Sequence, residues 1–104
     1  MHPLDDVDAP RFAVGQVAEM LDVQPAFVRR LDTEEVVQPA RSAGGQRRYS
    51  RADIEQVRRV AEMADAGMTL IGIRRIFELE MELAEVRVQL ARARARLRRK
   101  EDRT

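Results

Sequence analysis

Arg41, Arg47, Arg48 and Tyr49 surround the pair Gly44-Gly45 in the stretch RSAGGQRRYS, residues 41–50. Three guanidiniums and the chain's only phenol, beside a bendable tip, make a set of hydrogen-bond donors. The planar fork of arginine matches a phosphate or the edge of guanine. Gln46 adds an amide to the same stretch, and a second group lies upstream in Gln24, Ala26, Arg29 and Arg30. The chemistry these types offer is recognition of a polyanion, with some side chains on phosphates and others on base edges. Catalysis has no comparable support. The carboxylates are scattered, and no Ser/His/Asp set, metal-ligand spacing or phosphate loop is present. Two glycines are too few to cradle a nucleotide, and His2 stands alone in the N-terminal segment. The absence of cysteine excludes disulfides, thiolate metal sites and thiol redox sensing. No enzyme activity and no cofactor are expected.

The elements that must hold these residues follow from periodicity and punctuation. Residues 1–11 are polar and interrupted by proline, and read as a mobile N-terminal arm. Val14, Val17, Ala18 and Leu21 then share one helical face. Asp22-Val23-Gln24 breaks the pattern, and Pro25 suits the first turn of a second helix, although Gln24 is a poor N-cap. In that helix Val28 and Leu31 point inward, Phe27 lies at the edge, and Arg29 and Arg30 face out. Two short helices joined by three residues make a helix-turn-helix. Val36-Val37 and Arg47–Tyr49 are expected to be the strands of a hairpin with its tip at 42–46, where Gly44 and Gly45 can take positive φ. Tyr49 is expected to turn its ring inward and its hydroxyl outward. Ser50-Arg51-Ala52-Asp53 reads as a capping box for a third helix, whose apolar face is Ile54, Val57, Val60, Ala61 and Ala64 and whose end is Gly67. Thr69 caps a short fourth helix containing Leu70, Ile73, Ile76 and Phe77.

A long helix follows. Ile76, Leu79, Leu83, Val86, Leu90, Ala93 and Leu97 are spaced 3, 4, 3, 4, 3 and 4 apart, an unbroken heptad series with no Gly or Pro. The series predicts a dimerisation seam, and charge placement predicts its direction. An antiparallel pair with its two-fold axis near residue 88 sets Leu79 against Leu97, Leu83 against Ala93 and Val86 against Leu90 of a second copy. Glu80 then meets Arg94, and Glu82 meets Arg96. A parallel pair gathers like charges at each end, whereas the antiparallel register leaves Arg87 against Arg87 as its single unfavourable contact. Exposed pairs are worth only about 0.2–1 kcal/mol each, but several of them together set the orientation.

Nineteen basic and eighteen acidic residues leave a net charge of +1, yet the signs are sorted along the chain. Asp5, Asp6 and Asp8 open it, and Glu78, Glu80, Glu82 and Glu85 form an acidic block. Arg87–Lys100 holds seven basic residues and no acid. Its Arg-rich end, Arg92–Lys100, reads as a solvated helix end favoured by the helix dipole. No signal peptide or membrane-spanning run is apparent, so a soluble cytoplasmic protein is expected. The expected fold is mainly α. A winged helix-turn-helix with a two-stranded wing occupies residues 12–77, and an antiparallel coiled-coil dimerisation helix with a basic tail occupies 78–104.

The stretches VGQVAEMLDVQPAFVRRLD (14–32), RSAGGQRRYSRAD (41–53) and GIRRIFELE (72–80) resemble the MerR family of transcription regulators, nearest to its heat-shock repressors. The likeness covers roughly residues 12–85. It implies a stress-response repressor that binds an inverted-repeat operator in double-stranded DNA as a homodimer, its winged domains joined by an antiparallel coiled coil. A chaperone or other protein co-regulator is a further partner the resemblance implies. Relatives that sense metals or drugs carry cysteines or a further C-terminal domain, and with neither here no small-molecule effector is expected. The sequence departs from the family pattern in two places. Leu31-Asp32 stands where a tyrosine and an acid are usual, which removes a phosphate-contacting hydroxyl. Glu34-Glu35-Val36 replaces the usual glycine before the wing, setting two acids near DNA. Two other functions compete with this reading. One is a DNA-architectural, excisionase-like accessory protein, against which the dimerising heptads count. The other is a protein-interaction adaptor that has lost DNA binding, which Leu31, Glu34 and Glu35 favour.

Overall fold

The computed structural model describes residues 6–103. Residues 1–5 of the expected arm, His2 among them, and Thr104 lie outside the described residues. The element order is α1 (Val14–Leu21), α2 (Pro25–Thr33), β1 (Ala40–Arg41), β2 (Arg47–Arg48), α3 (Arg51–Asp65) and α4 (Leu70–Asp102). Two compact units divide between Arg74 and Arg75.

In the first unit, the Ala13 N–H ahead of α1 donates to Gln16 Oε1 at 2.8 Å, the half of a capping box that needs no side chain on the N-cap residue. The helix ends at Asp22, which takes a left-handed φ of 53°, and Val23 N–H returns to Ala18 O at 3.0 Å. Pro25 then opens α2 behind an extended Gln24 that makes no side-chain cap. α3 begins with a reciprocal capping box: Asp53 N–H donates to Ser50 Oγ and Ser50 N–H to Asp53 Oδ2, both at 2.9 Å. Val17, Val28, Leu31, Tyr49, Val57, Val60 and Ile73 form the fully buried centre. That centre is therefore aliphatic around one phenol.

Two expectations about the elements are corrected. Val36 and Val37 are not the first strand. Both are buried, both donate to Leu31 O (2.8 and 3.2 Å), and they follow Glu35, whose φ is 59°. Adjacent strand residues alternate faces, so two consecutive buried valines belong to the apolar plug that closes α2. The strand begins later, and Ala40 pairs with Arg48 and Arg41 with Arg47. The second correction concerns α4, where Thr69 caps one continuous 33-residue helix rather than a short one followed by a long one. Thr69 Oγ1 accepts from Gly72 N–H at 3.1 Å. Beyond that first turn the sequence holds no glycine or proline to break it.

Residues 6–12, within or next to the expected arm, make specific contacts. Ala52 N–H, one of the unpaired donors at the start of α3, donates to Val7 O at 3.0 Å. Phe12 forms an isolated antiparallel bridge with Tyr49, at 2.9 Å from Phe12 N to Tyr49 O and 2.7 Å from Tyr49 N to Phe12 O. The second unit is the helix from Arg75 on. Its heptad residues Leu79, Leu83, Val86, Leu90 and Leu97 are each 45–60% exposed. Ala93 is exposed and Ile76 is half-buried. Arg75 pairs with Glu78 at 3.2 Å within this helix. Among the described residues no helix is long and apolar enough to cross a membrane.

Candidate nucleic-acid interface

The outer face of α2 and the β1–β2 wing carry the predicted contact residues. Gln24, Ala26, Arg29 and Arg30 are all exposed, because Val28 and Leu31 take the buried face at helical spacing. Arg30 Nε lies 3.3 Å from Glu34 one turn on, a pair too exposed to hold the guanidinium firmly. Glu35 is exposed in its left-handed turn, at the place where glycine is favoured.

The wing tip spans 42–46, as its glycines suggest. Ser42 N–H donates to Gln46 O at 2.8 Å, Gly45 N–H to Ser42 O at 2.9 Å, and Gln46 N–H to Ser42 Oγ at 3.1 Å. Gly45 alone of the tip takes a positive φ, 81°. Arg48 is half-buried and donates through Nη2 to Gln46 Oε1 at 2.9 Å, while Gln46 itself is exposed.

The wing's other two arginines are already engaged. Asp32, buried at the end of α2, accepts from Arg41 Nη2 at 2.9 Å and from Arg47 Nε at 2.6 Å on the same Oδ2 oxygen. Arg41 also donates through Nη1 to Gly45 O at 3.3 Å. The Arg41 side chain remains 51% exposed and that of Arg47 24%. Arg41 therefore still presents donors outward, whereas Arg47 is largely turned in. Sequence reasoning noted Asp32 but did not assign it this role. The available signal was an acid in the last turn of a helix, where the dipole disfavours negative charge.

Tyr49 corrects a further expectation. It is fully buried, and its hydroxyl is buried as well, with no hydrogen-bond partner among the described residues. Burial, assisted by the nearby Asp32 charge, pushes this phenol above its ordinary pKa of 10.0. The hydroxyl does not face outward, and Tyr49 supports the wing from beneath. Arg51, exposed at the first position of α3, adds a cation next to the wing that the sequence reading left out.

The pattern of the MerR HTH family regulatory proteins matches residues 12–80. Over 80 residues, 76% of its length, the chain is 40% identical to a putative heat shock protein, HspR, of Streptomyces coelicolor, and covers 53% of that protein. It is 24% identical over 81 residues to the HTH-type transcriptional regulator GlnR of Bacillus anthracis, covering 63% of it. The chain thus spans about half to two-thirds of the length of these relatives. Among solved structures it is similar to HiNmlR, a MerR family regulator lacking the sensor domain and bound to promoter DNA. That match has a TM-score of 0.62 and 21% identity, over 88% of this chain and 78% of that one. MtaN, the N-terminus of the Bacillus subtilis multidrug transporter activator, gives a TM-score of 0.60 and 23% identity over 90% and 97% of the two chains. With a helix-turn-helix, a two-stranded wing and the family's own pattern coinciding on the same residues, the chain belongs to the MerR HTH family of regulatory proteins.

Proposed function

We propose that this chain is a sequence-specific DNA-binding transcription regulator, acting as a repressor, that binds an inverted-repeat operator as a homodimer. The observation that carries the reading is the exposure of Arg29 and Arg30 on α2 beside a wing carrying Arg41 and Arg48. That combination offers a helix for the major groove and flanking cations for phosphate. The HiNmlR structure, a MerR family regulator bound to promoter DNA, supports the DNA partner. The HspR name of the Streptomyces relative supports a stress-response setting. Support for the dimer comes from Leu79, Leu83, Val86, Leu90 and Leu97, a heptad stripe left open to solvent on a single helix. Antiparallel pairing covers that stripe and joins the acidic half of each helix to the basic half of the other.

Sequencing duplex fragments selected from a random pool by the purified protein tests the reading. An enriched inverted repeat is the expected result, and no enrichment over input refutes sequence-specific binding. Arg87→Cys tests the pairing: a disulfide dimer is expected to form readily, because this register sets residue 87 against its own copy across the two-fold axis. Efficient cross-linking only between cysteines placed at like chain ends contradicts the antiparallel register.

A further inference from the structure

Asp32 has no evident role in the helix that carries it. A carboxylate in the last turn opposes the helix dipole, and burial adds a desolvation cost unless the charge is paired. Its partners come from elsewhere. Arg41 and Arg47 are register partners on facing strands, and like charges directly opposite on a two-stranded ribbon repel. One oxygen of Asp32 accepts from both of them, at 2.9 and 2.6 Å. Strand alternation turns Arg48 to the other face of the ribbon. The two strands thus present one face to α2, and the carboxylate joining them stands one residue beyond Leu31 of the core.

We propose that Asp32 is a positioning residue for DNA recognition. It locks the wing to the recognition helix and withholds Arg47, with part of Arg41, from phosphate. Operator selectivity then depends on a fixed wing position rather than on the full charge of the wing. Because Arg41 also donates to Gly45 O, the lock reaches the tip, where the backbone would approach the sugar-phosphate chain. This inference rests on the DNA-binding reading above, and its consequences separate into a part that needs DNA and a part that does not.

Asp32→Asn keeps the shape and removes the charge, and Asp32→Glu keeps the charge but shifts the carboxylate by one methylene. In the protein alone, amide hydrogen exchange at Ser42, Gly45 and Gln46 is expected to speed up about tenfold in Asp32→Asn, with α3 amides unchanged. Binding to the selected operator and to a random duplex of equal length is then measured by fluorescence anisotropy over a salt series. Asp32→Asn is expected to lose about tenfold in operator affinity while holding or gaining affinity for the random duplex. Its salt slope on the random duplex should steepen by about one to two, at roughly 0.9 per phosphate neutralised. Asp32→Glu should lose operator selectivity with the random-duplex affinity and slope unchanged, and it supplies the test if the Asn variant fails to fold. An equal gain for both duplexes in Asp32→Asn, or an unchanged operator-to-random ratio in Asp32→Glu, overturns the proposal. Unchanged exchange in the wing of Asp32→Asn overturns it too. If the wild-type protein binds neither duplex, the regulator reading fails on its own account, and the exchange result still decides whether Asp32 holds the wing.

Discussion

Replacing Tyr49 by phenylalanine tests the central feature of the core with one atom. The Tyr49 ring is fully buried and its hydroxyl has no partner among the described residues. A buried hydroxyl without a hydrogen bond costs about 1–3 kcal/mol. The small gap left by deleting it costs on the order of half a kcal/mol, so the variant is expected to be more stable by roughly 1 kcal/mol. In a domain of this size such a gain raises the melting temperature by about 4–8 °C, which circular dichroism at neutral pH resolves easily. Alkaline pH adds a second reading. In the folded protein the phenol titrates above its ordinary 10.0, chiefly because it is buried, so above that pH the unfolded chain releases a proton the folded state still holds. The stability tied to the neutral phenol is therefore complete below about pH 10 and is lost as pH rises through the folded-state value. The phenylalanine variant should lack this alkaline loss. A melting temperature several degrees below wild type refutes the reasoning, since it means that the hydroxyl is satisfied, for instance by a bound water. Lower DNA affinity at unchanged stability returns Tyr49 to the interface.

Other residues give independent checks. Ser50→Ala removes half of the capping box on α3 and is expected to cost about 1 kcal/mol, read as a lower urea midpoint with unchanged slope. Glu35→Gly relieves a left-handed φ of 59°. That strain is worth about 1–2 kcal/mol, against which the freer unfolded chain offsets about 0.4–1 kcal/mol. A net stabilisation of roughly half a kcal/mol or more should appear in the same unfolding assay. Leu83→Lys or Leu90→Lys should give monomers in sedimentation velocity and lose operator affinity; an intact dimer contradicts the seam. Arg29→Ala and Arg48→Ala should each reduce the salt slope of duplex binding by about 1 if the lost contact is to phosphate. A loss confined to one base position of the selected operator assigns that arginine to base readout instead.

Much of the local structure was legible because it depends on short-range chemistry. The turn at 22–24, Pro25 at the start of α2, the capping box at Ser50 and Asp53, and the glycine-bearing tip all announce themselves by residue type. The misplaced first strand has a local cause. Val36 and Val37 have strand-forming side chains, but a left-handed Glu35 makes them the closure of α2, and a β-branched pair carries no mark of which fate it meets. A single helix over Leu70–Asp102 was likewise hidden, because a plausible boundary at Phe77 came from counting apolar positions rather than from any helix-breaking residue.

The sequence by itself determined the helix-turn-helix, the position of the wing tip and the heptad stripe, since periodicity, caps and turn residues act within a few positions of the chain. Only the tertiary structure decided which polar groups remain available for a ligand. Arg41, Arg47, Arg48 and Tyr49 look equivalent as a string of donors, but Asp32 reaches Arg41 and Arg47 across 9 and 15 residues and the core closes over the phenol. Desolvation and charge pairing depend on distance in space, so one arginine is largely withheld, another is shared, a third is left on the far face, and the tyrosine supports the wing from below.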